Sequence, residues 1–420
     1  MSNSVPEGWW RSTINDFAKT SSGGTPNTQR PEYWENGSIP WMSSGEVHNK
    51  RISRVEQYIS ESGFKNSSAK LFPAGTILIA LAGQGKTRGT VAISEIELTT
   101  NQSIAGIVVK DKCVSPDYVF HNLDSRYNEL RSASGGSGRA GLNLAIIGEQ
   151  ELLLPPFPEQ QKIAAILSSV DDVIEKTRAQ IDKLKDLKTG MMQELLTKGI
   201  GPDGASHTAF KDSPVGRIPE GWNVLTLGDA FKLTSGGTPN RGQPDYFTSA
   251  PDGFPWVKTM DLTGGLLSFT SERITASALE NSSCKLLPKG TAMVAMYGGW
   301  NQIGRSSVLG IEAATNQAIC ALVPNGLVSG DFANYWLIAM RERWKAIAAS
   351  SRKDPNITKQ DVSDFLIAVP SMTEQRAIVK KLDLFSSLII SKELQLSSRS
   401  KLKKALMQDL LTGKVRVKVS

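Results

Sequence analysis

The stretch Val5-Pro6-Glu7-Gly8-Trp9 returns further along the chain as Ile218-Pro219-Glu220-Gly221-Trp222. The stretch Ser22-Gly23-Gly24-Thr25-Pro26-Asn27 returns, with the same displacement, as Ser235-Gly236-Gly237-Thr238-Pro239-Asn240. The displacement is about half the length of the chain, far more than the roughly 20 to 50 residues of a solenoid repeat. The sequence therefore predicts two similar domains and a molecule with a pseudo-two-fold axis.

Further motifs repeat with one constant displacement, which is the displacement that separates Trp41 from Trp256. It also relates Thr100-Asn101-Gln102 to Thr315-Asn316-Gln317, Glu159-Gln160 to Glu374-Gln375, and Leu195-Leu196-Thr197 to Leu410-Leu411-Thr412. Because the register persists to the end of the chain, each half should contain a similar head followed by a similar appendage.

Length and composition set the class of protein. A chain of 420 residues exceeds the roughly 250 to 300 residues that one hydrophobic core supports, so two cores are expected. The sequence has no apolar stretch of about 18 residues that could span a membrane, and residues 1–11 do not resemble a signal peptide. We therefore expect a cytoplasmic protein without a membrane partner. The net charge of +7 favours a nucleic-acid partner only if the basic residues share one face.

The cysteines and histidines form no pattern typical of a metal site. Cys113, Cys284 and Cys320 are far apart and lack CxxC spacing, which argues against structural zinc or a disulfide framework. The three histidines, His48, His121 and His207, are equally scattered. No metal is expected in this chain.

Each half begins with a mixed region and ends with a helical one. Short β-branched runs predict strands at 76–81, 90–93 and 104–109, and again at 291–296, 307–309 and 318–323. Helix candidates lie at 118–131 and 332–349. Each head is thus predicted to be α+β.

The helical regions carry apolar residues at near-heptad spacing. Ile163, Val170, Leu184 and Met191 form one row, and Leu167, Ile174, Ile181 and Leu195 form a neighbouring row. The second region repeats the pattern with Ile378, Phe385 and Leu406 beside Leu382, Ile389, Leu396 and Leu410. Because only about 20 residues separate the first helix from the second head, an antiparallel pair is favoured, with the heads at opposite ends of a coiled coil.

These patterns predict the following segments. The first head covers 1–155, the first spacer helix 156–198, the linker 199–217, the second head 218–369, the second spacer helix 370–412 and the tail 413–420.

Two motifs resemble catalytic or nucleotide-binding sequences without fulfilling them. Residues 80–87, Ala-Leu-Ala-Gly-Gln-Gly-Lys-Thr, approach the P-loop, but the first position is Ala80 and a strand is predicted next, where a P-loop requires a helix N-terminus. Leu154-Pro155-Pro156-Phe157 resembles the Asn/Asp-Pro-Pro-aromatic motif of amino-methyltransferases, but Leu154 lacks the needed acceptor. No nucleophile constellation is evident either. The chain is therefore interpreted as a binding protein without catalytic residues.

Glycine-rich loops at corresponding places in the two heads are the candidate DNA-binding sites. Arg, Gln and Asn suit contacts to base edges, and Lys suits phosphate contacts. The candidates in these loops are Gln84, Lys86 and Arg88 in the first head, and Trp300, Asn301, Gln302 and Arg305 in the second. A further pair of basic loops, just before the helical regions, adds Arg139 in the first head and Arg352 and Lys353 in the second. The alternative is that both loops are solvated surface hairpins. The Ser-Gly-Gly-Thr-Pro-Asn turns, Trp41 and Trp256 are interpreted as structural.

The order and duplication of these motifs resemble the specificity subunits of type I restriction-modification systems. The resemblance covers nearly the whole chain and implies two target recognition domains, each reading one part of a bipartite sequence in double-stranded DNA. It also implies two modification subunits, which bind S-adenosylmethionine and methylate adenine, and restriction subunits that use ATP and Mg for translocation and cleavage. The chain itself would hold no cofactor.

Because the two loops differ in chemistry, two unlike half-sites are predicted, and substitution of Arg88 or Arg305 should each weaken the reading of one of them. Three alternatives remain open from the residues alone. They are a specificity partner for another restriction class, a scaffold whose heads bind proteins, and a nucleotide-dependent enzyme that uses the Lys86 loop.

Overall fold

A computed structural model describes residues 5–83, 85–133, 141–349 and 356–418 of the chain. The chain forms two compact units. The first unit comprises Met1–Ala179 and Glu393–Ser420, and the second comprises Gln180–Lys392. Each unit therefore contains one head and a part of each of two long helices, Phe157–Lys198 and Met372–Leu410.

A five-stranded sheet forms the centre of the first head. The strand order is Ala18–Ser22, Ile104–Val109, Ile77–Ala80, Val91–Ser94 and Arg51–Ile52, and only the last pair is parallel. Successive side chains of a strand point to opposite faces. Accordingly, Ile77 and Ile79 join one buried cluster and Leu78 and Ala80 join another. This four-residue apolar run forms a strand because both faces of the sheet are covered.

The second head repeats this sheet with the same order and the same single parallel pair. Its strands are Phe231–Ser235, Ile319–Pro324, Ala292–Ala295, Ser306–Leu309 and Leu266–Leu267. Ala292 and Val294 lie in one buried cluster, whereas Met293 and Ala295 lie in another. The predicted strands are thus confirmed, with ends shifted by at most one residue.

Smaller elements complete each head. The first head has further strands at Trp10–Thr13, Ile39–Met42, Gln57–Ile59, Thr99–Thr100 and Glu151–Leu154, and helices at Ile14–Phe17, Pro31–Tyr33, Ser44–Asn49, Glu61–Lys65, Pro116–Ser125, Tyr127–Ser132 and Leu144–Gly148. The second has strands at Asn223–Thr226, Phe247–Thr248, Phe254–Val257, Glu272–Ile274, Ala314–Thr315 and Leu366–Val369, and helices at Leu227–Ala230, Pro244–Tyr246, Thr259–Asp261, Ala276–Glu280, Gly330–Ala339, Arg341–Ala349 and Lys359–Asp364. Two short strands, Phe210–Lys211 and Ile218–Pro219, pair in the segment that precedes this head.

The two helices predicted inside the heads are each divided into two. The first breaks at Arg126 (φ −102°, ψ 22°) and the second at Met340 (φ −96°, ψ 14°). The prediction of one continuous helix at each place was wrong because no glycine or proline marks the break. The bend instead brings the second segment, Tyr127–Ser132 or Arg341–Ala349, against a loop of the same head.

The long helices pair in antiparallel fashion within each unit, as predicted. In the first unit the Lys403 ammonium contacts Asp171 at 2.7 Å, and Met407 packs in the same cluster as Ile163 and Leu167. In the second unit Leu195 packs in the same cluster as Ile378. The beginning of one helix thus lies beside the end of the other in both units, and the heptad rows supply the buried contacts.

The repeated Pro-Glu-Gly-Trp and Glu-Gln motifs meet at the start of each long helix. In the first unit Glu159 accepts hydrogen bonds from the Trp9 indole (3.3 Å) and from Arg416 (2.8 Å to each carboxylate oxygen). In the second unit Glu374 accepts from the Trp222 indole (3.1 Å), and one of its carboxylate oxygens lies 2.9 Å from His207 Nε2. Each glutamate thereby links the tryptophan of its head to a residue that follows the other long helix, Arg416 in the first unit and His207 in the second.

The Ser-Gly-Gly-Thr-Pro-Asn and Thr-Asn-Gln motifs also contact each other. The Thr25 hydroxyl bonds the Gln102 side chain, and Thr238 does the same with Gln317. The buried Trp41 indole donates to Gly24 O at 3.0 Å, and the Trp256 indole donates to Gly237 O at 3.1 Å. The structural interpretation of these turns and of both tryptophans is confirmed.

A partly buried ionic cluster around the buried His121 joins the first head to the long helices within the first unit. Lys403 and Lys50 both contact Asp124, at 3.3 and 2.6 Å, and His121 Nε2 lies 2.9 Å from the Ser168 hydroxyl. Burial, aided by the nearby Lys403, lowers the pKa of His121 to about 3. The imidazole is therefore neutral in the folded protein at neutral pH.

The His121 pKa predicts a loss of stability in mild acid. The unfolded chain binds a proton at this histidine below about pH 6.5, whereas the folded chain does so only near pH 3. The free energy of unfolding should therefore fall by about 2 kcal/mol between pH 7 and pH 5. Urea unfolding at both values measures this change. His121→Gln, which does not titrate, should remove most of the difference, and an equal loss in the variant would contradict the assignment.

Candidate nucleic-acid interface

The first candidate loop, residues 81–90, is a hairpin between strands Ile77–Ala80 and Val91–Ser94; we call it the first hairpin loop. Its backbone turns at glycines of positive φ, including Gly83 (+127°) and Gly89 (+81°), a region that other residues rarely adopt. A strand follows the loop, as predicted, so the segment lacks the helix N-terminus of a P-loop.

Two predicted contact residues of the first hairpin loop differ in their surroundings. The Lys86 side chain is exposed. Arg88 is partly buried and donates from Nη2 to Arg131 O at 2.9 Å. Lys86 thus faces solvent, whereas Arg88 ties the loop to helix Tyr127–Ser132, which we call the first flanking helix.

The second candidate loop, residues 296–305, connects Ala292–Ala295 to Ser306–Leu309 and is called the second hairpin loop. Asn301 is exposed and Trp300 is 47% exposed. Gln302 and Arg305 are partly buried, and Arg305 Nε donates to Asn301 O at 2.9 Å. This loop lies against helix Arg341–Ala349, the second flanking helix.

Four of the predicted site residues lie outside the described residues. These are Gln84, Arg139, Arg352 and Lys353. The structure therefore brings together Lys86 and Arg88 in the first head, and Trp300, Asn301, Gln302 and Arg305 in the second. Their assignment as DNA contacts stays a prediction.

Sequence reasoning missed the short turn that accompanies each hairpin loop. In the first head, His48 of the turn Ser44–Asn49 lies 3.4 Å from the Thr87 hydroxyl. In the second head, Met260 of the turn Thr259–Asp261 is 65% exposed, and its sulfur accepts a hydrogen bond from Gln302 Nε2 at 2.9 Å. The only signal was position, because both turns follow the repeated Pro-Trp strand.

The two heads present different chemistry on this common framework. In the register that relates Trp41 to Trp256, the small residues of the first head correspond to large apolar residues of the second: Gly45 to Met260, Ala82 to Tyr297, and Gly85 to Trp300. The second head is therefore apolar and aromatic where the first is small, and it carries neutral Asn301 where the first carries cationic Lys86. Aromatic rings can stack on bases and apolar groups can contact thymine methyls, whereas lysine favours phosphate.

The described residues contain no group of three or more His, Cys, Asp or Glu that could hold a metal ion. Within the same ranges, no helix has both the length and the apolar character needed to cross a membrane.

Comparison with protein-family models identifies the family of this chain. The sequence model of the type I restriction modification DNA specificity domain matches residues 6–186 and again 219–398. The two matches contain the two hairpin loops and most of both long helices. The chain therefore belongs to the family of type I restriction-modification specificity subunits, which recognise DNA sequences.

Named relatives agree with this assignment. The chain is 27% identical over 419 residues to the MjaIX specificity subunit of Methanocaldococcus jannaschii, covering 98% of this chain and 95% of that protein. It is 30% identical over 168 residues to the EcoR124I/EcoR124II specificity subunit of Escherichia coli, covering 39% of this chain and 40% of that protein.

Solved structures share the fold. The S subunit of a type I restriction-modification system from M. genitalium superposes with a TM-score of 0.64 at 17% identity, covering 98% of this chain and 97% of that one. A chain from a study of type I system assembly gives a TM-score of 0.54, also at 17% identity, with 99% and 100% coverage. The predicted α+β class and coiled-coil helices are confirmed. Specificity subunits are non-catalytic components that bind DNA and work with other subunits.

Proposed function

We propose that each head reads one half of an asymmetric bipartite DNA site, and that the long helices set the spacing and recruit modification subunits. The observation that carries this proposal is the pair of hairpin loops at corresponding positions of two similar sheets. Topologically equivalent loops with unlike side chains suit two half-sites of unlike sequence.

Reading by the hairpin loops is supported by the residues that they expose. Lys86 and Asn301 occupy corresponding positions of the repeat, and both side chains are exposed. Asparagine can bond both N6 and N7 of adenine, whereas lysine contacts phosphate or guanine. The first head is therefore proposed to depend more on charge, and the second more on base edges and on the stacking of Trp300.

Recruitment by the long helices is supported by apolar residues that remain exposed along them. Leu187, Leu384, Leu388 and Ile390, all within the second unit, are each at least 43% exposed. Exposed leucines on an otherwise charged helix mark a surface for protein contact. Two modification subunits are the proposed partners on these helices.

The complete assembly is proposed to include restriction subunits as well. S-adenosylmethionine would be bound by the modification subunits, and ATP and Mg by the restriction subunits. This division of labour fits the absence of a nucleophile constellation or P-loop in the sequence. The chain would supply the DNA address at which those subunits act.

Methylation mapping across a genome tests the proposal. The chain is expressed with its modification subunit in a host without background methylation, beside the same host lacking the chain. The expected result is a bipartite motif with two unlike halves that depends on the chain. A chain that associates with its partner yet directs no motif would refute DNA specificity and favour the scaffold alternative.

Substitution of corresponding loop residues should affect one half-site each. Lys86→Ala is expected to weaken the reading of one half-site and Asn301→Ala that of the other, by about tenfold, because a contact to a base edge contributes roughly 1–3 kcal/mol of discrimination. Methylation of sites with single mismatches in either half measures the discrimination. If the Lys86 ammonium contacts phosphate, Lys86→Ala should instead weaken binding to all sequences alike and make binding less sensitive to salt.

Exposed lysines near the strand ends that lie opposite the hairpin loops provide control positions. Lys112 and Lys289 lie at the ends of the central strands away from the hairpin loops and are exposed. Lys112→Ala and Lys289→Ala should leave the motif and its discrimination unchanged. If the controls act as strongly as Lys86→Ala and Asn301→Ala, the hairpin loops are not the reading surface.

A further inference from the structure

One backbone carbonyl in the first hairpin loop is held by two side-chain donors. Lys86 O accepts a hydrogen bond from the Tyr127 hydroxyl at 3.0 Å and another from the Thr90 hydroxyl at 2.9 Å. Tyr127 is the first residue of the first flanking helix. Its hydroxyl also accepts from Arg131 Nη1 at 3.3 Å. The tip of the loop is therefore fixed to a helix that begins well beyond the loop in the chain.

The second hairpin loop has the same arrangement with different residues. Asn301 O accepts from Arg341 Nη2 at 2.9 Å and from Arg305 Nε at 2.9 Å. Arg341 is the first residue of the second flanking helix. Its Nε also donates to Ile303 O at 3.4 Å.

The two arrangements occupy corresponding positions in the repeat. Lys86 corresponds to Asn301 and Thr90 to Arg305 in the same register, and both flanking helices begin at a donor. The donors are nevertheless hydroxyl groups in the first head and guanidinium groups in the second. The held carbonyl is thus common to both heads, while the donors and the exposed side chains differ between them.

The backbone of each hairpin loop packs closely against its flanking helix at a glycine. A Cβ on Gly89 would lie 3.0 Å from Arg131 N, and a Cβ on Gly304 would lie 2.6 Å from Trp344 Cδ1. Both glycines have positive φ, at +81° and +70°. Glycine-rich loops have many accessible conformations, so an ordered tip requires bonds of the kind made to Lys86 O and Asn301 O.

We propose that Tyr127 and Arg341 are positioning residues for DNA recognition. Each holds the carbonyl at the tip of its hairpin loop and so presents Lys86 or Asn301 in one conformation. This inference rests on the proposed function of the hairpin loops. A preorganised loop loses less conformational entropy when it binds. Loss of the bond should therefore reduce binding to the correct half-site more than binding to DNA in general.

Substitutions that remove the donor and retain the bulk test the proposal. The variants Tyr127→Phe and Arg341→Met are expressed in the full chain with its modification subunit. Each should lower the ratio of methylation between correct and single-mismatch half-sites by about three- to tenfold, the equivalent of the one hydrogen bond lost at the held carbonyl. Each effect should be confined to one half-site. The salt dependence of DNA binding should not change.

Arg341 requires a further variant, because an arginine could contact phosphate directly. Arg341→Gln removes the charge, and its amide N–H reaches only as far as Nε of the arginine, which donates to Ile303 O and not to Asn301 O. Positioning predicts that it loses discrimination as Arg341→Met does, with the salt dependence of the wild type. A weaker salt dependence in both variants would identify a phosphate contact and overturn the positioning role.

The experiment distinguishes failure of the positioning role from failure of the proposed function. If the wild-type chain directs no bipartite motif, the proposed function fails. If it does, and discrimination is unchanged in Tyr127→Phe and Arg341→Met, only the positioning role is overturned. If Tyr127→Phe lowers the melting temperature by more than about 5 °C, the test uses Thr90→Val in its place. That variant removes the other donor to Lys86 O. Thr90→Val must then affect the same half-site, and equal loss at both half-sites would overturn the proposal.

Discussion

Replacing Gln375 with leucine is expected to lower the free energy of unfolding by about 3–5 kcal/mol, because each buried partner left without a hydrogen bond costs roughly 1–3 kcal/mol. The Gln375 side chain is fully buried at the start of the second long helix. It accepts from Ser329 N at 2.9 Å and donates to Leu327 O at 3.1 Å and to Pro370 O at 3.0 Å. Leucine has a similar size but satisfies none of these three groups.

Urea unfolding of the full chain, followed by tryptophan fluorescence, measures this loss. Gln395→Leu provides the control. Gln395 is exposed on the same helix, and surface substitutions usually change stability by less than about 0.5 kcal/mol. Gln160→Leu should resemble Gln375→Leu. Gln160 makes the equivalent bonds to Ser115 N, Cys113 O and Pro155 O. A cost below about 1 kcal/mol for either buried glutamine would contradict the role of these bonds.

Shortening both long helices by seven residues is expected to abolish methylation of the native site. Removing residues 178–184 and 391–397 keeps the heptad register, because seven residues return an α-helix to within about 20° of its starting face. The helices become about 10 Å shorter at roughly 1.5 Å per residue. That length matches about three base pairs, which on a duplex of roughly 10 pairs per turn also rotates one half-site relative to the other.

Methylation mapping of the shortened chain with its modification subunit measures the effect. We expect methylation of the native motif to fall more than tenfold, and any remaining motif to have an altered spacer. Asp182→Ala with Lys183→Ala changes exposed residues of the same segment without changing its length, and should retain the native motif. Unchanged spacer preference in the shortened chain would refute the proposal that the helices set the spacing.

The sequence predicted the repeated features of the fold because they depend on local pattern. Apolar runs of strand length recur in a constant register in the two halves, and the heptad rows that begin at Ile163 and Ile378 continue without proline. It did not predict the breaks at Arg126 and Met340, which no local residue marks. Nor did it predict that the two-residue strand Arg51–Ile52 pairs in parallel with Val91–Ser94, because that pairing depends on contacts distant in sequence.

The sequence predicted both hairpin loops, and their role in DNA contact stays a prediction. Glycines and polar residues marked the loops, since those residue types suit close approach to DNA. Met260 was missed, although it lies beside Gln302, because the two belong to separate loops of the chain. Tyr127 and Arg341 were likewise missed as donors to the loops, since neither carries a motif.

The sequence by itself determined the duplication, the α+β class, the two long helices and the family resemblance. These follow from periodicity and from motif order, which survive without coordinates. Only the tertiary structure decided which side chains hold the hairpin loops, why Glu159 and Glu374 are repeated, and that His121 is buried and neutral. Those properties depend on groups brought together from distant parts of the chain, and hydrogen bonds and burial are set by that proximity rather than by local sequence.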